Sequence, residues 1–221
     1  MPDNSENKVI EIRNYRPADR QAVRQISCDT SGKGKSDRYF SDCETYADII
    51  TRYYTDYEPG SLWVAQANNI VVGYLTGCLD TSKFDRIMTR KILHSAISGA
   101  ISRGAILRLE SYQLFSALIV SGILRIGRGI DLKTYPAHFH INIIEDFRGV
   151  KRGRQLVERF KQQCVDAGIK GIHVEALGTN LKGRGFFEKM GFKPICERPL
   201  ILPENKRLTK TFTMTYGCLC K

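Results

Sequence analysis

The residues best suited to chemistry lie in one stretch, AHFHINIIEDFRGVKRGR, which covers residues 137–154. It begins with alternating apolar and polar side chains, which indicates a half-buried β-strand. His138 and His140 fall on the polar side, and a histidine there titrates near neutral pH and suits proton transfer. The basic, glycine-containing loop 148–154 then leads into a helical pattern. Free N–H groups at a helix start, together with basic side chains, predict a phosphate site beside a proton acceptor.

His140 is the first candidate for a general base and His138 is the second, because both share the face of Asn142 next to the loop. His173 and Glu175, on the next predicted strand, are further candidates. A histidine on the polar face of a strand is often merely exposed or hydrogen-bonded, so the sequence leaves the choice open. The two strand histidines have no third ligand nearby, and we predict no metal site.

The composition predicts one globular domain over residues 1–221, of which 42% are hydrophobic. The net charge of +11 favours phosphorylated or acidic ligands, or else is a solvated basic surface. The polar N-terminus predicts no signal peptide, and the uncharged, largely apolar run at residues 111–124 is shorter than the roughly 20 residues of a membrane span. The seven cysteines contain no CxxC pair, and we expect reduced thiols in a cytoplasmic protein.

The hydrophobic pattern predicts a mixed α/β sheet. The front half reads as a strand, two helices and a hairpin whose turn contains Asn68 and Asn69. The second half reads β-α-β-α-β-β. Its elements are a strand at 137–143, a helix at 152–167, a strand at 172–176, a helix at 180–190 and strands at 192–198 and 208–216.

Residues 84–134 stand apart from this alternation. They form a helical pattern with eight basic and three acidic residues, and part of it is apolar on nearly all faces. A helix of that kind is buried or covers something, so we predict a helical insertion that packs over one edge of the sheet. Weak contact with a membrane surface through this segment is the alternative.

Three motifs of the chain resemble those of the GCN5-related N-acetyltransferases (GNAT superfamily). They are the loop R-x-x-K-x-G at 148–153, the sequence N-x-x-G-x-x-F-F-E-K-M-G-F at 180–192, and the hairpin with its W-V-A and V-V-G-Y strands. Within that superfamily, P-A-H-x-H-I at 136–141 and the tyrosine-rich stretch 53–57 look most like acetyltransferases related to the C-terminal domain of O-GlcNAcase. The resemblance implies the GNAT fold, a mixed central sheet of about seven strands flanked by helices, with the insertion between the third and fourth strands.

The resemblance also implies acetyl-CoA as the cofactor. Main-chain groups of Ile141, Asn142 and Ile143 would bind the pantetheine arm, and Asn180 would lie near the thiol. The residues that would hold the pyrophosphate are Gly149, Val150, Lys151, Arg152, Gly153 and Arg154.

The chain departs from the family pattern at two positions. Lys151 replaces the usual first glycine of the loop, where its side chain either crowds the phosphate or binds it directly. Phe187 replaces the tyrosine that commonly gives a proton to the leaving thiolate. In the front half of the chain, Tyr53, Tyr54 and Tyr57 either line the acceptor site or belong to the core.

The sequence as a whole predicts an acetyl-CoA-dependent N-acetyltransferase that transfers an acetyl group to a small-molecule or peptide amine by direct attack in a ternary complex. The alternative is a catalytically weak or inactive acyl-CoA-binding module of the same fold. We expect no specific binding of nucleic acid. The oligomeric state stays open, with a homodimer among the alternatives.

Overall fold

Seven strands form one mixed sheet in a computed structural model that describes residues 10–30, 42–104, 129–148, 150–204 and 207–220. The order across the sheet is β1-β2-β3-β4-β5-β7-β6. Neighbouring strands are antiparallel except β4 and β5, which are parallel. The strands are β1 (Ile10–Asn14), β2 (Leu62–Ala67), β3 (Ile70–Cys78), β4 (Ala137–Ile143), β5 (Gly171–Leu177), β6 (Lys193–Glu204) and β7 (Arg207–Leu219).

Helices lie between these strands in the predicted order. α1 and α2 connect β1 to β2, and a nearly continuous helical segment of α3, a π turn at Met88–Ile92 and α4 follows β3. The bounds are α1 (Arg20–Asp29), α2 (Cys43–Asp56), α3 (Thr81–Ile87), α4 (Leu93–Ser102), α5 (Val150–Asp166) and α6 (Leu181–Lys189). The predicted mixed sheet of about seven strands, with helices inserted between the third and fourth strands, is confirmed. Residues 105–128 of the predicted insertion lie outside the described residues.

Two hydrophobic cores form because side chains alternate between the two faces of each strand. One core joins the sheet to α5 and α6 and includes Phe139 and Phe160. The other joins the sheet to α1, α2 and the helical segment after β3, and includes Tyr53, Tyr54 and Tyr74. Tyr53 and Tyr54 are thus core residues, as the second of our two alternatives predicted.

Close contact between β3 and α5 fixes the position of that helix on the sheet. A Cβ atom added at Gly77 would lie 2.2 Å from Cε2 of Phe160 and 2.7 Å from the main-chain oxygen of Ser61. Only glycine permits this approach. The predicted hairpin turn is also present, with positive φ angles of 48° at Asn68 and 63° at Asn69.

The structure corrects the expectation that all cysteines are reduced thiols. Cys28, near the end of α1, forms a disulfide with Cys43 at the start of α2. The two are 15 residues apart and come together because α1 packs against α2, which no local motif reveals. The cytoplasmic location stays a prediction. In the described ranges no helix is both long and apolar enough to cross a membrane.

Candidate active site

Strands β4 and β5 separate soon after they begin, which opens a groove in the middle of the sheet. Among the described residues they pair only at Ala137–Ile172 and His138–His173. Strand β3, in contrast, pairs with β4 along its whole length, from Cys78 to Gly73. The far edge of β4 after His138 therefore has no strand beside it.

The main chain of β4 indicates which residues face this open edge. In an antiparallel pair the N–H and C=O groups of a residue point to the same side, and the side alternates along the strand. Ile144 donates its N–H to the carbonyl of Val72 over 3.0 Å, so Asn142 also directs its main chain toward β3. The residues that direct main-chain groups to the groove are Phe139, Ile141 and Ile143.

Arg148 already contacts one of these groups. Its Nε donates to the carbonyl oxygen of Ile143 over 3.0 Å, at the end of the open edge. Arg148 belongs to the R-x-x-K-x-G motif, but the sequence did not indicate that its side chain would reach β4. The contact brings the basic loop and the strand to one place.

The start of α5 lies at the same end of the groove. A Cβ atom added at Gly153 would be 3.1 Å from Cζ of Phe186 on α6 and 3.7 Å from Cδ1 of Ile143. Gly153 thus lets α5, α6 and β4 meet closely. The first turn of α5 contains no acidic residue, so the positive end of the helix dipole is not compensated there.

The basic residues at the start of α5 differ in how exposed they are and in the contacts their side chains make. Lys151 is exposed, and Arg154 is exposed and pairs with Glu158 over 2.6 Å. Arg152 is half-buried, donates to the carbonyl of Phe147 over 2.8 Å and stacks on its ring. Lys151 and Arg154 are therefore the side chains best placed to reach an anion in solution. Gly149 and the side chain of Val150 lie outside the described residues.

Asn180 begins α6 as its N-cap. Its Oδ1 accepts the N–H of Gly183 over 2.9 Å, the usual role of asparagine at this position. A Cβ atom at Gly183 would lie 2.5 Å from Nδ2 of Asn180, so the glycine leaves room for the cap. The residue is exposed at the start of α6.

Phe187 points into the core rather than into the groove. Its side chain is buried among Phe139, Phe192 and Tyr216, with ring centroids 5.9, 6.1 and 6.2 Å away. It has no polar atom to donate. The residue therefore packs α6 against the sheet, and a proton donor is lacking at this position.

His138 is held by two hydroxyl groups. Its Nε2 lies 3.0 Å from Oη of Tyr54 and its Nδ1 lies 2.7 Å from Oγ1 of Thr81. The ring also packs against Phe84 and His173 at centroid distances of 4.7 and 5.5 Å. With both ring nitrogens engaged, His138 is less suited than His140 to exchange a proton with a substrate.

His140 lies nearer the open end of the strand and is exposed. Its Nε2 is 3.1 Å from Nδ2 of Asn142, which also donates to Oη of Tyr74 over 2.8 Å. Burial by the surrounding protein lowers the pKa of His140 to about 4, although water reaches the ring. The direction is what matters at an exposed site: the neutral ring is favoured at neutral pH.

The other candidate bases have structural partners. Buried His173 has its Nδ1 2.9 Å from the carbonyl oxygen of Tyr135, and Glu175 forms an ion pair with Arg198. The part of the chain that the structure describes contains no group of three or more side chains arranged to hold a metal ion. The structure thus brings together β4, the start of α5 and Phe186 of α6, with His140 on the accessible polar face of β4.

No protein-family model matches the chain. Several solved structures nevertheless share its fold over nearly the whole length. The protein named SsHAT is 22% identical, with a TM-score of 0.67 over 96% of this chain and 98% of that one. The putative acetyltransferase yncA from Salmonella typhimurium, solved with its cofactor acetyl-CoA, is 12% identical, with a TM-score of 0.56 over 96% and 94% of the two chains.

A GNAT-superfamily phosphinothricin acetyltransferase from Sinorhizobium meliloti, in complex with acetyl-CoA, is 13% identical with a TM-score of 0.59 over 96% and 88% of the two chains. At such identities the similarity establishes the fold. The closer likeness to O-GlcNAcase-related acetyltransferases stays a prediction. The chain therefore has the GNAT fold, which it shares with solved acetyltransferases of that superfamily.

Proposed function

We propose that this protein is an acetyl-CoA-dependent N-acetyltransferase that acts on a small-molecule or peptide amine. The observation that carries the proposal is the open edge of β4 beside the start of α5, in a fold whose solved examples include acetyltransferases with acetyl-CoA bound. Unpaired main-chain groups along one strand suit an extended amide chain, which binds as an added strand. An uncompensated helix start with exposed basic side chains suits a diphosphate.

These features fit the parts of acetyl-CoA in order. Main-chain groups of Ile141 and Ile143 would bind the pantetheine arm, and Asn142, whose main chain faces β3, would contribute through its side chain. The residues that would hold the pyrophosphate are Gly149, Val150, Lys151, Arg152, Gly153 and Arg154. Asn180 would lie where the arm passes the start of α6. When bound, the cofactor supplies the activated acetyl thioester.

The protein's own residues would then position the amine beside the polar face of β4. Holding two reactants in line is by itself a large part of catalysis. His140 is the catalytic residue we assign to this face, and His138 holds the strand against Tyr54 and Thr81. Lys151 would bind phosphate through its ammonium group, because its side chain is exposed at the helix start.

The proposal is tested by calorimetry of CoA binding and by thiol release from acetyl-CoA with a panel of amines. We expect CoA to bind, with affinity reduced about tenfold in Lys151→Ala and little changed in the matched surface variant Lys182→Ala. Thiol release with at least one amine would support the proposed acetyltransferase activity. Absence of CoA binding would refute the proposal.

The second candidate is an acyl-CoA-binding module without turnover. The observation that favours it is the buried Phe187, which cannot donate a proton to a leaving thiolate. CoA binding without thiol release on any amine, and no gain from Phe187→Tyr, would support this candidate.

A further inference from the structure

The hydrogen bonds around His140 form a chain with a defined direction. The side-chain nitrogen Nδ2 of Asn142 lies 2.8 Å from Oη of Tyr74 and donates a hydrogen bond to it. An amide nitrogen has only hydrogens to offer, so the phenol oxygen accepts at this contact.

The amide of Asn142 thus turns its nitrogen, and not its oxygen, toward Tyr74. The second hydrogen of the same nitrogen points to Nε2 of His140 over 3.1 Å. Nε2 consequently accepts a hydrogen bond, and a neutral ring must then bear its hydrogen on Nδ1.

Burial keeps the chain in this state. Tyr74 is fully buried, and burial raises the pKa of its phenol, so the hydroxyl keeps its hydrogen at neutral pH. The titratable groups that face this part of β4 are Tyr74 from β3 and His138 on β4 itself, and the hydroxyl of Thr76 bonds the carbonyl of His140. No charged side chain of the described residues contributes to the lowered pKa of His140.

The Nδ1–H of His140 has no hydrogen-bond partner in the described chain. It belongs to an exposed ring on the polar face of β4, beside the open edge. A fixed N–H donor of this kind stabilises negative charge that develops in a reaction. A hydrogen-bond donor to that developing charge would thus come from β4.

We propose that His140 acts as a neutral hydrogen-bond donor, through Nδ1–H, to the acetyl thioester, and that Asn142 and Tyr74 are positioning residues that hold it in this tautomer. This inference rests on the proposed function. In the transfer, the C–N bond to the acetyl carbon forms and the C–S bond breaks. The electron pair of that bond leaves on sulfur, and the proton of the attacking amine passes to water. His140 keeps its own proton throughout.

The first test needs no turnover. Two-bond ¹H–¹⁵N spectra of the wild-type protein at neutral pH report which ring nitrogen of His140 bears hydrogen. We expect Nδ1 to be protonated and Nε2 to be unprotonated, and we expect Tyr74→Phe to produce a mixture of tautomers. Protonated Nε2 in the wild type would overturn the proposal, even if the protein proved not to be an enzyme.

The second test separates a donor from a base by thiol release from acetyl-CoA. The amide nitrogen of an asparagine can replace Nδ1–H, whereas neither asparagine nor alanine can act as a base. We expect His140→Asn to keep kcat within about tenfold of wild type and His140→Ala to lose about 100-fold, with KM for acetyl-CoA little changed. His94→Ala, on the exposed side of α4, is the matched control for loss of a histidine.

Equal losses in His140→Asn and His140→Ala would overturn the donor role, because a general base is lost equally in both. If CoA binds to wild type but no amine is acetylated, the proposed enzyme fails, and the tautomer spectra still decide the assignment at His140.

Discussion

Replacing Asn142 by aspartate should reverse the polarity of the hydrogen-bond chain at almost constant shape. A carboxylate has no hydrogen to give, so it would accept from Oη of Tyr74 and from Nε2 of His140, where the amide donates over 2.8 and 3.1 Å. His140 would then bear hydrogen on Nε2 and present the lone pair of Nδ1 to the groove. The variant should convert a donor into a base.

The size of the effect follows from the distance. An opposite charge within about 4–6 Å raises the pKa of a histidine by roughly 1–3 units, and the exposed ring favours the lower part of that range. The pKa of His140 should therefore rise by roughly 1–2 units from its lowered value.

The assay is an NMR pH titration of the His140 ring in wild type and in Asn142→Asp. In both proteins the pKa of His140 is lower in the folded state than in the unfolded chain. The unfolded chain therefore binds the proton first as the pH falls below about 6.5, and the free energy of unfolding decreases until the folded pKa is reached. In the variant this decrease should end at a higher pH, because its folded pKa is higher. Asn69→Asp, in the β2–β3 turn, adds the same charge elsewhere and should leave the titration unchanged. An unchanged or lower pKa in Asn142→Asp would contradict the contact between residue 142 and the ring of His140.

Three further substitutions test the framework of the site. Gly77→Ala places Cβ 2.2 Å from a ring carbon of Phe160, so the free energy of unfolding measured in urea should fall by about 3 kcal/mol or more. Adding Phe160→Leu to this variant should restore part of the lost stability. A loss below about 1 kcal/mol would contradict the close contact. Asn180→Ala removes the N-cap of α6 and should lower Tm by about 2–4 °C. Asn180→Ser keeps a hydrogen-bond acceptor at this position and should leave Tm nearly unchanged. Equal decreases of Tm in the two variants would exclude a capping role. Asp19→Asn breaks the 2.7 and 2.9 Å hydrogen bonds from Arg13, which lower the pKa of Asp19, and should reduce the free energy of unfolding by about 2–4 kcal/mol above pH ~4. The difference from wild type should vanish in acid, because this stability is lost as the pH falls through the folded pKa of Asp19. A difference that does not change with pH would argue against the ion pair.

Much of the local structure followed from local pattern. Alternation located β4, Asn68 and Asn69 located the hairpin turn, and the motif at Asn180 located α6. These signals are readable because neighbouring residues determine backbone conformation and which side chains share a face. The helix that begins at Val150 and the strand that ends at Ile143 are consecutive, so the sequence alone was enough to propose that they share a phosphate site.

The partners of the site residues were not visible in this way. Tyr54 is 84 residues from His138 and Tyr74 is 68 residues from Asn142, and nothing in either local pattern links them. The disulfide between Cys28 and Cys43 was missed for the same reason, since its geometry depends on how α1 packs on α2.

The sequence by itself determined that a half-buried strand with two polar-face histidines leads into a basic helix start, and its motifs pointed to the GNAT fold. Only the tertiary structure decided that β4 and β5 part after His138, that Phe187 is a core residue, and that His138 is held while His140 is accessible. It also decided the direction of the hydrogen bonds that reach His140. A side chain's type gives the bonds it can make, but which of them it makes, and whether it donates or accepts, depends on groups that folding brings from distant parts of the chain.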